Sequence, residues 1–160
     1  MNNIVQLNTV IIDTNILLLY LAGIFDISLI KNSKLFYKYD FKDYFLLFNY
    51  LKKYTKFLIT PHILTETSNL ISKGITKRNS EFYKLVIDKL LGFQEENLNK
   101  DNLLRSESFI KFGVTDAGII QIAHRKNVMI LTDDFPLYKE LIDKKLPVEN
   151  FNHIRQSHLS

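Results

Sequence analysis

The sequence contains no cysteine, no tryptophan, and only five glycines and three prolines among its 160 residues. Without cysteine the chain forms neither disulfide bonds nor thiolate metal sites, so a metal ion would need oxygen or imidazole ligands. The few glycines make no glycine-rich turn. This absence argues against a phosphate-binding loop and therefore against hydrolysis of nucleoside triphosphates.

Long hydrophobic runs are also scarce. The longest apolar stretch, Ile16 to Phe25, lies between Asp13 and Asp26 and is too short to span a bilayer. The first residues, MNNIVQLNTV, lack the basic stretch and the small-residue cleavage site of a signal peptide. We therefore expect a cytoplasmic protein that does not enter a membrane.

Internal repeats and Pro-, Ser- or Gly-rich linkers are missing as well. A hydrophobic content of 46% over 160 residues is enough for one buried core, which predicts a single domain over residues 1–160. The net charge of +4 implies only weak attraction to polyanions. Two charge arrangements stay open: a basic surface around an acidic pit, suited to a phosphate backbone, or lysines scattered over solvated faces.

Short β-branched runs alternate with helical patterns, which favours an α/β three-layer sandwich with a mostly parallel central sheet. Thr60 and Pro61 are typical of a helix start, and Thr115 is a second candidate N-cap. The predicted strands are Thr9–Ile12, Phe57–Ile59, Val128–Leu131 and Pro147–Phe151. The predicted helices are Asn15–Ala22, Phe41–Tyr54, one from Pro61, one within 76–93, one from Thr115 to Lys126, and Pro136–Lys144, with loops at Lys31–Lys34 and Gln94–Asp101.

Acidic residues are predicted to gather at one edge of this sheet. Asp13 follows the first strand, and Asp133 and Asp134 follow the Val128–Leu131 strand. Groups beyond the carboxyl ends of parallel strands converge. Helical geometry places Asp116 along the apolar stripe of its helix and Glu66 at the rim of another.

Several partly desolvated carboxylates in one place repel each other by kilocalories, so they would either take up protons or bind cations. Oxygen ligands suit magnesium or manganese. Two such ions can activate a water molecule and stabilise the leaving oxygen in phosphodiester hydrolysis. The pattern therefore indicates a carboxylate site for Mg²⁺ or Mn²⁺.

Four segments resemble, in the same order, the motifs of PIN-domain nucleases, and the resemblance covers nearly the whole chain. It implies a PIN-like fold and a metal-dependent endoribonuclease that cuts single-stranded or structured RNA and leaves a 5′-phosphate and a 3′-hydroxyl. The segments are Val10-Ile11-Ile12-Asp13-Thr14-Asn15, Glu66 after Thr60-Pro61, Thr115-Asp116-Ala117, and Leu131-Thr132-Asp133-Asp134-Phe135.

The resemblance also implies individual roles. Asp13, Glu66 and Asp116 correspond to metal ligands. The family's last acid stands two residues after a threonine, which selects Asp134 here and leaves Asp133 as an alternative. A final pair, Asn15 and Thr132, resembles the polar residues that fix ligands or the attacking water.

One departure concerns the PIN toxins of bacterial toxin-antitoxin modules. The segment between Asn15 and Glu66 is longer here and contains the aromatic-rich stretch Phe36 to Phe41. A toxin identity, with an antitoxin protein as partner, therefore stays open. Aromatics interleaved with lysines can stack on unpaired bases, and at helical spacing they can equally form core or a dimer face.

Each acid also has a purely structural interpretation. Asp13 can be the N-cap of the following helix, Asp116 can complement a helix dipole, and the Asp133-Asp134 pair is a turn signal. Glu66 alone would be an ordinary solvated carboxylate. The coincidence of all four is what favours a metal site.

Two other functions are alternatives to a nuclease: an aspartyl-phosphate phosphatase and a non-catalytic scaffold. Phosphatases that form an aspartyl-phosphate carry a second acid two residues after the first, where this chain has Asn15. A PIN-like scaffold that binds RNA or protein without cutting is the main alternative. Lys73, Lys77 and Arg78 are candidate phosphate contacts, and apolar helix surface makes a homodimer plausible.

Overall fold

The structure, a computed structural model, describes residues 7–76 and 78–158. These residues form an α/β three-layer sandwich, a parallel sheet flanked by helices. The strands are β1 (Thr9–Ile12), β2 (Lys56–Ile59), β3 (Gln94–Glu95), β4 (Met129–Thr132) and β5 (Val148–Asn150). The helices are α1 (Thr14–Phe25), α2 (Ser28–Asn32), α3 (Phe41–Leu51), α4 (Pro61–Gly74), α5 (Asn79–Leu90), α6 (Lys100–Leu104), α7 (Glu107–Phe112), α8 (Val114–Arg125), α9 (Phe135–Asp143) and α10 (Phe151–Ser157), with a 3₁₀ turn at Lys34–Phe36.

The sheet has the strand order β3-β2-β1-β4-β5, and every pairing is parallel. From β1 the chain first builds outward through β2 and β3, then returns to the other side of β1 with β4 and β5. The reversal lies between β1 and β4. In doubly wound sheets the loops separate at this switch point and leave a crevice beyond the strand ends.

The core is built around β1 and α1. Val10, Ile11 and Ile12 are buried because β1 has a strand on each side and helices over the sheet. Helix α1 is apolar on almost every face and packs against α3, α4 and α5. A strand and a helix buried this completely fix the position of the residue that joins them, Asp13.

The four predicted strands and the six predicted helices are confirmed, with their ends shifted by up to three residues. Thr60 caps α4 by accepting a hydrogen bond from the Ile63 N–H at 3.1 Å. The N-cap prediction for Thr115 is wrong, because α8 begins at Val114 after Gly113, whose φ of 85° turns the chain out of α7. Thr115 therefore lies in the first turn.

Two predicted loops contain regular structure. Lys31–Lys34 overlaps the end of α2 and the start of the 3₁₀ turn, while Gln94–Asp101 includes β3 and the start of α6. Strand β3 is two exposed polar residues at the sheet edge, so it has no apolar pattern to detect. Its stability comes from pairing with β2.

In the described part of the chain, no helix combines the length and the apolar character needed to cross a membrane.

Candidate metal centre

The acidic residues lie at the switch point of the sheet. Asp13 directly follows β1, and Asp133 and Asp134 directly follow β4. The two strand ends are joined by a hydrogen bond from the Asp13 N–H to the Leu131 carbonyl, at 2.9 Å. This is the edge at which α/β folds of this topology place their ligands.

Asp13 is buried, with 8% of its surface exposed. Its Oδ1 accepts from the Thr14 N–H at 2.8 Å, which makes it the N-cap of α1. Its Oδ2 accepts from the Thr132 hydroxyl at 2.6 Å. The structural interpretation as an N-cap is therefore correct, and it is compatible with a second role because each oxygen keeps a further lone pair.

Thr14 links Asp13 to Glu66. Its backbone N–H binds the first carboxylate, and its hydroxyl donates to Glu66 Oε2 at 3.2 Å. Glu66 lies in the middle of α4 and is exposed to solvent. Thr14 was not among the predicted site residues, although it is the middle residue of the Asp-Thr-Asn run.

Thr132 links Asp13 to Asp134 in the same way. Its hydroxyl donates to Asp13 and accepts from the Asp134 N–H at 3.0 Å. Asp134 is exposed, and its Oδ1 caps α9 by accepting from the Leu137 N–H at 2.8 Å. Two threonines thus connect three of the predicted ligands across the sheet edge.

Asp116 approaches this group from the first turn of α8 and is half-buried. Burial raises the pKa of Asp116 to about 7, with further contributions from the negative charges of Asp13, Asp134 and Glu66. Burial likewise raises the pKa of Asp13 to about 6, even though hydrogen bonds from Thr132 and Thr14 lower it. The negative charge of Asp116 therefore interacts with the charges of the other three predicted acids.

Asp133 is the more buried of the two neighbouring acids, with 1% of its side chain exposed. Its Oδ2 accepts a hydrogen bond from the Tyr39 hydroxyl and forms an ion pair with the Lys38 ammonium group. Its Oδ1 is buried and has no hydrogen-bond partner among the described residues. Asp133 also repels Asp13, whose pKa it raises.

Lys38 and Tyr39 were not predicted as site residues. They belong to the aromatic-rich stretch, which the structure divides between two environments, since Tyr39 is buried whereas Tyr37 is 85% exposed. Burial raises the pKa of Tyr39, and its contact with Asp133 raises it further. The alternation of lysine with tyrosine was visible in the sequence, but nothing there showed that it meets Asp133.

A side chain of α10 anchors the aromatic-rich stretch through hydrogen bonds. Arg155 donates from Nε and Nη2 to the two carboxylate oxygens of Asp43, at 2.7 and 2.9 Å. The same Nη2 donates to the Lys38 carbonyl at 3.0 Å. Such a bidentate pair fixes orientation as well as distance, so Arg155 links the backbone of Lys38 to both α3 and α10.

The donor chemistry of these residues fits magnesium or manganese. All are oxygen ligands, and within the described part of the chain Asp116 forms no hydrogen bond that would lower its pKa. The orphaned Asp133 oxygen is a further free acceptor. However, no three acidic or histidine side chains among residues 7–76 and 78–158 stand close enough to enclose a metal ion. Three of these carboxylates would therefore have to move toward one another to hold one ion.

The remaining predicted site residues are Asn15 and the three candidate phosphate contacts. Asn15 is exposed in the first turn of α1, and Lys73 is exposed in the last turn of α4. Arg78 is occupied by ion pairs with Asp26 at 3.1 Å and Glu81 at 2.9 Å. Lys77 falls outside the described residues.

Two cavities lie on the faces of α4. One of about 380 Å³ has Glu66 and Asp116 on its walls. A larger groove of about 650 Å³, between α4 and α5, is mainly apolar and has none of the clustered acids on its walls.

No protein-family model matches this chain, and a comparison with curated proteins finds no significant match.

Proposed function

We propose that this protein is a metal-dependent endoribonuclease of the kind that the PIN-domain resemblance implies. The observation that carries the proposal is the hydrogen-bonded arrangement at the carboxyl ends of β1 and β4, where Thr14 joins Asp13 to Glu66 and Thr132 joins Asp13 to Asp134. Burial raises the pKa of Asp13 and of Asp116, and repulsion from neighbouring acids raises both further. Keeping charged carboxylates together without a cation is costly.

The ligands of the metal would be these four acids, with Asp133 as a fifth oxygen donor. The chemistry supplied by a bound magnesium or manganese ion is activation of a water molecule for in-line attack and stabilisation of the leaving oxygen. Thr14 and Thr132 hold the carboxylates in orientation through their hydrogen bonds. Asn15, exposed beside them, would orient the attacking water.

The substrate would be RNA, which needs a cation near the acids to offset repulsion of its phosphates. The ammonium group of Lys38 is placed on Asp133, and Lys73 lies further along α4. We further propose a cytoplasmic location. Action as the toxin of a toxin-antitoxin pair would add an antitoxin protein as partner.

The test is degradation of RNA by purified protein. Single-stranded RNA should be cut with manganese or magnesium and left intact with a chelator. Asp13→Asn and Asp116→Asn should each lose at least about 100-fold in rate, since removing a single charge-stabilising group costs this much in other enzymes. Asp40→Asn is the control, because Asp40 caps α3 outside the acid cluster.

Intact RNA over a broad range of metals and substrates would replace the nuclease proposal by the scaffold alternative. A scaffold should still bind RNA or a protein, and its binding should not depend on the charge of Asp116. Equal cleavage by wild type and by both asparagine variants would point to a contaminating nuclease.

A further inference from the structure

The cavity of about 380 Å³ beside Glu66 and Asp116 extends the candidate site in one direction. It lies between α4 and the junction of α7 with α8. Its volume falls in the range of pockets that hold small organic groups, roughly 300–1,000 Å³. A polymer whose phosphate met the acids would have its neighbouring groups next to this space.

One wall is a single face of α4. His62, Glu66 and Asn69 follow each other at intervals of four and three residues, which places them on the same side of the helix. Asn69 is exposed, and its amide offers both donors and an acceptor. The carboxylate and the amide are thus neighbours on this wall.

The opposite wall is formed by the end of α7 and the start of α8. Phe112 is half-buried, and the Lys111 ammonium group stands 4.9 Å from its ring centroid. The positive φ of Gly113 turns the chain at once into α8, and a Cβ built at Gly113 would meet nothing within 4 Å. The turn therefore borders open space instead of packed atoms.

We propose that this cavity binds the base of an unpaired nucleotide next to the scissile phosphate, an inference that rests on the nuclease function proposed above. Phe112 offers an aromatic ring for stacking, and Asn69 can hydrogen-bond the edge of a base. A neutral base with donors and acceptors suits this combination.

The preference for unpaired nucleotides follows from the same geometry. A base inside a duplex is stacked and paired, so it cannot enter a pocket between two helices without being extruded. The cavity therefore selects single-stranded segments. Helix α4 then has two roles, because Glu66 belongs to the acid cluster and Asn69 hydrogen-bonds the base.

The experiment measures binding by fluorescence anisotropy, with manganese and a six-nucleotide single-stranded RNA whose linkages are non-hydrolysable methylene phosphonates. Phe112→Ala should weaken binding about 5- to 150-fold, the range for loss of one stacked base. Asn69→Ala should weaken it less. Phe45→Ala is the matched control, because Phe45 is an exposed aromatic of α3 away from the cavity.

A second series replaces each nucleotide in turn by an abasic one. At one position the abasic RNA should bind more weakly to wild type, and Phe112→Ala should then cause no further loss. Phe112→Tyr, which keeps the ring, should bind within about threefold of wild type, which separates stacking from misfolding.

Unchanged binding by Phe112→Ala and Asn69→Ala would overturn the pocket proposal, as would equal losses for intact and abasic RNA at every position. The nuclease proposal is tested separately, by cleavage of natural RNA. If Phe112→Ala binds and cuts as well as wild type, only the base pocket is wrong. Binding that depends on Phe112 in a protein that never cuts RNA would leave the pocket and remove the nuclease.

Discussion

Replacing Asp13 by asparagine should make the metal-free protein more stable at neutral pH while abolishing metal binding. Asparagine has nearly the shape of aspartate and caps helices as well, so Oδ1 can still accept from the Thr14 N–H. The Thr132 hydroxyl, which now donates to Asp13, can rotate and accept from the new amide. Only the buried charge is lost.

The magnitude follows from the pKa of Asp13, which burial raises from 3.8 to about 6. A raised carboxyl pKa favours the folded state below about pH 4, and this contribution is lost as the pH rises through 6. Above that pH the charge costs about 3 kcal/mol, at 1.36 kcal/mol per pKa unit. Loss of charge-assisted hydrogen bonds offsets part of the gain, so a net stabilisation of about 1–3 kcal/mol is expected.

The assay is thermal and urea unfolding at pH 5 and pH 8, with a chelator and with manganese. At pH 8 without metal the variant should melt roughly 2–10 °C above wild type, a difference that shrinks at pH 5. Manganese should stabilise wild type but not the variant. Asp40→Asn should stay within about 0.5 kcal/mol of wild type in all conditions. A clear destabilisation of Asp13→Asn at pH 8 would refute this prediction, because the buried charge would then stabilise the fold through its hydrogen bonds instead of destabilising it.

Three further predictions concern pH, the buried tyrosine and cell growth. Manganese affinity should rise between pH 5 and pH 8, by up to tenfold per pH unit for each proton displaced, because the pKa values of Asp13 and Asp116 are raised to about 6 and 7; calorimetry showing a flat profile would contradict this. Tyr39→Phe should cost about 1.5–3 kcal/mol in urea unfolding, since it removes a hydrogen bond to the buried Asp133, whereas Tyr37→Phe at an 85% exposed position should change little. If the protein is a toxin, its expression should arrest growth and Asp116→Asn should relieve the arrest; equal growth with both proteins would favour a processing role.

The parts of the fold that the sequence predicts well are those with strong local patterns. The β-branched run of Thr9–Ile12 and the apolar α1 leave little choice except a buried strand feeding a buried helix. The pair Thr60-Pro61 predicts the start of α4, because the Thr60 side chain caps this helix. The placement of Asp13 at the sheet edge follows directly from these elements.

Other features depend on contacts between distant segments. Strand β3 is too short and polar to have a pattern, and it forms because β2 offers an open edge. Lys38 and Tyr39 reach Asp133 across 95 and 94 positions of sequence, through a segment that Arg155 secures from the other end of the chain. No local sequence pattern predicts contacts between residues that are this far apart in the chain.

The cluster also shows why the structural and functional interpretations of these acids did not exclude each other. Asp13 and Asp134 are both N-caps and both lie at the switch point. A parallel strand that feeds a helix places the cap residue at the carboxyl edge of the sheet, where ligands bind. The same residue can therefore begin a helix and contribute to a site.

The most direct test of the central claim is anomalous diffraction from a crystal of this protein grown with manganese. We expect a peak whose nearest protein atoms are carboxylate oxygens of Asp13 and Asp116, at about 2.0–2.3 Å, with Glu66 or Asp134 completing the set directly or through water. A well-ordered crystal with manganese in excess and no peak among these acids would contradict it.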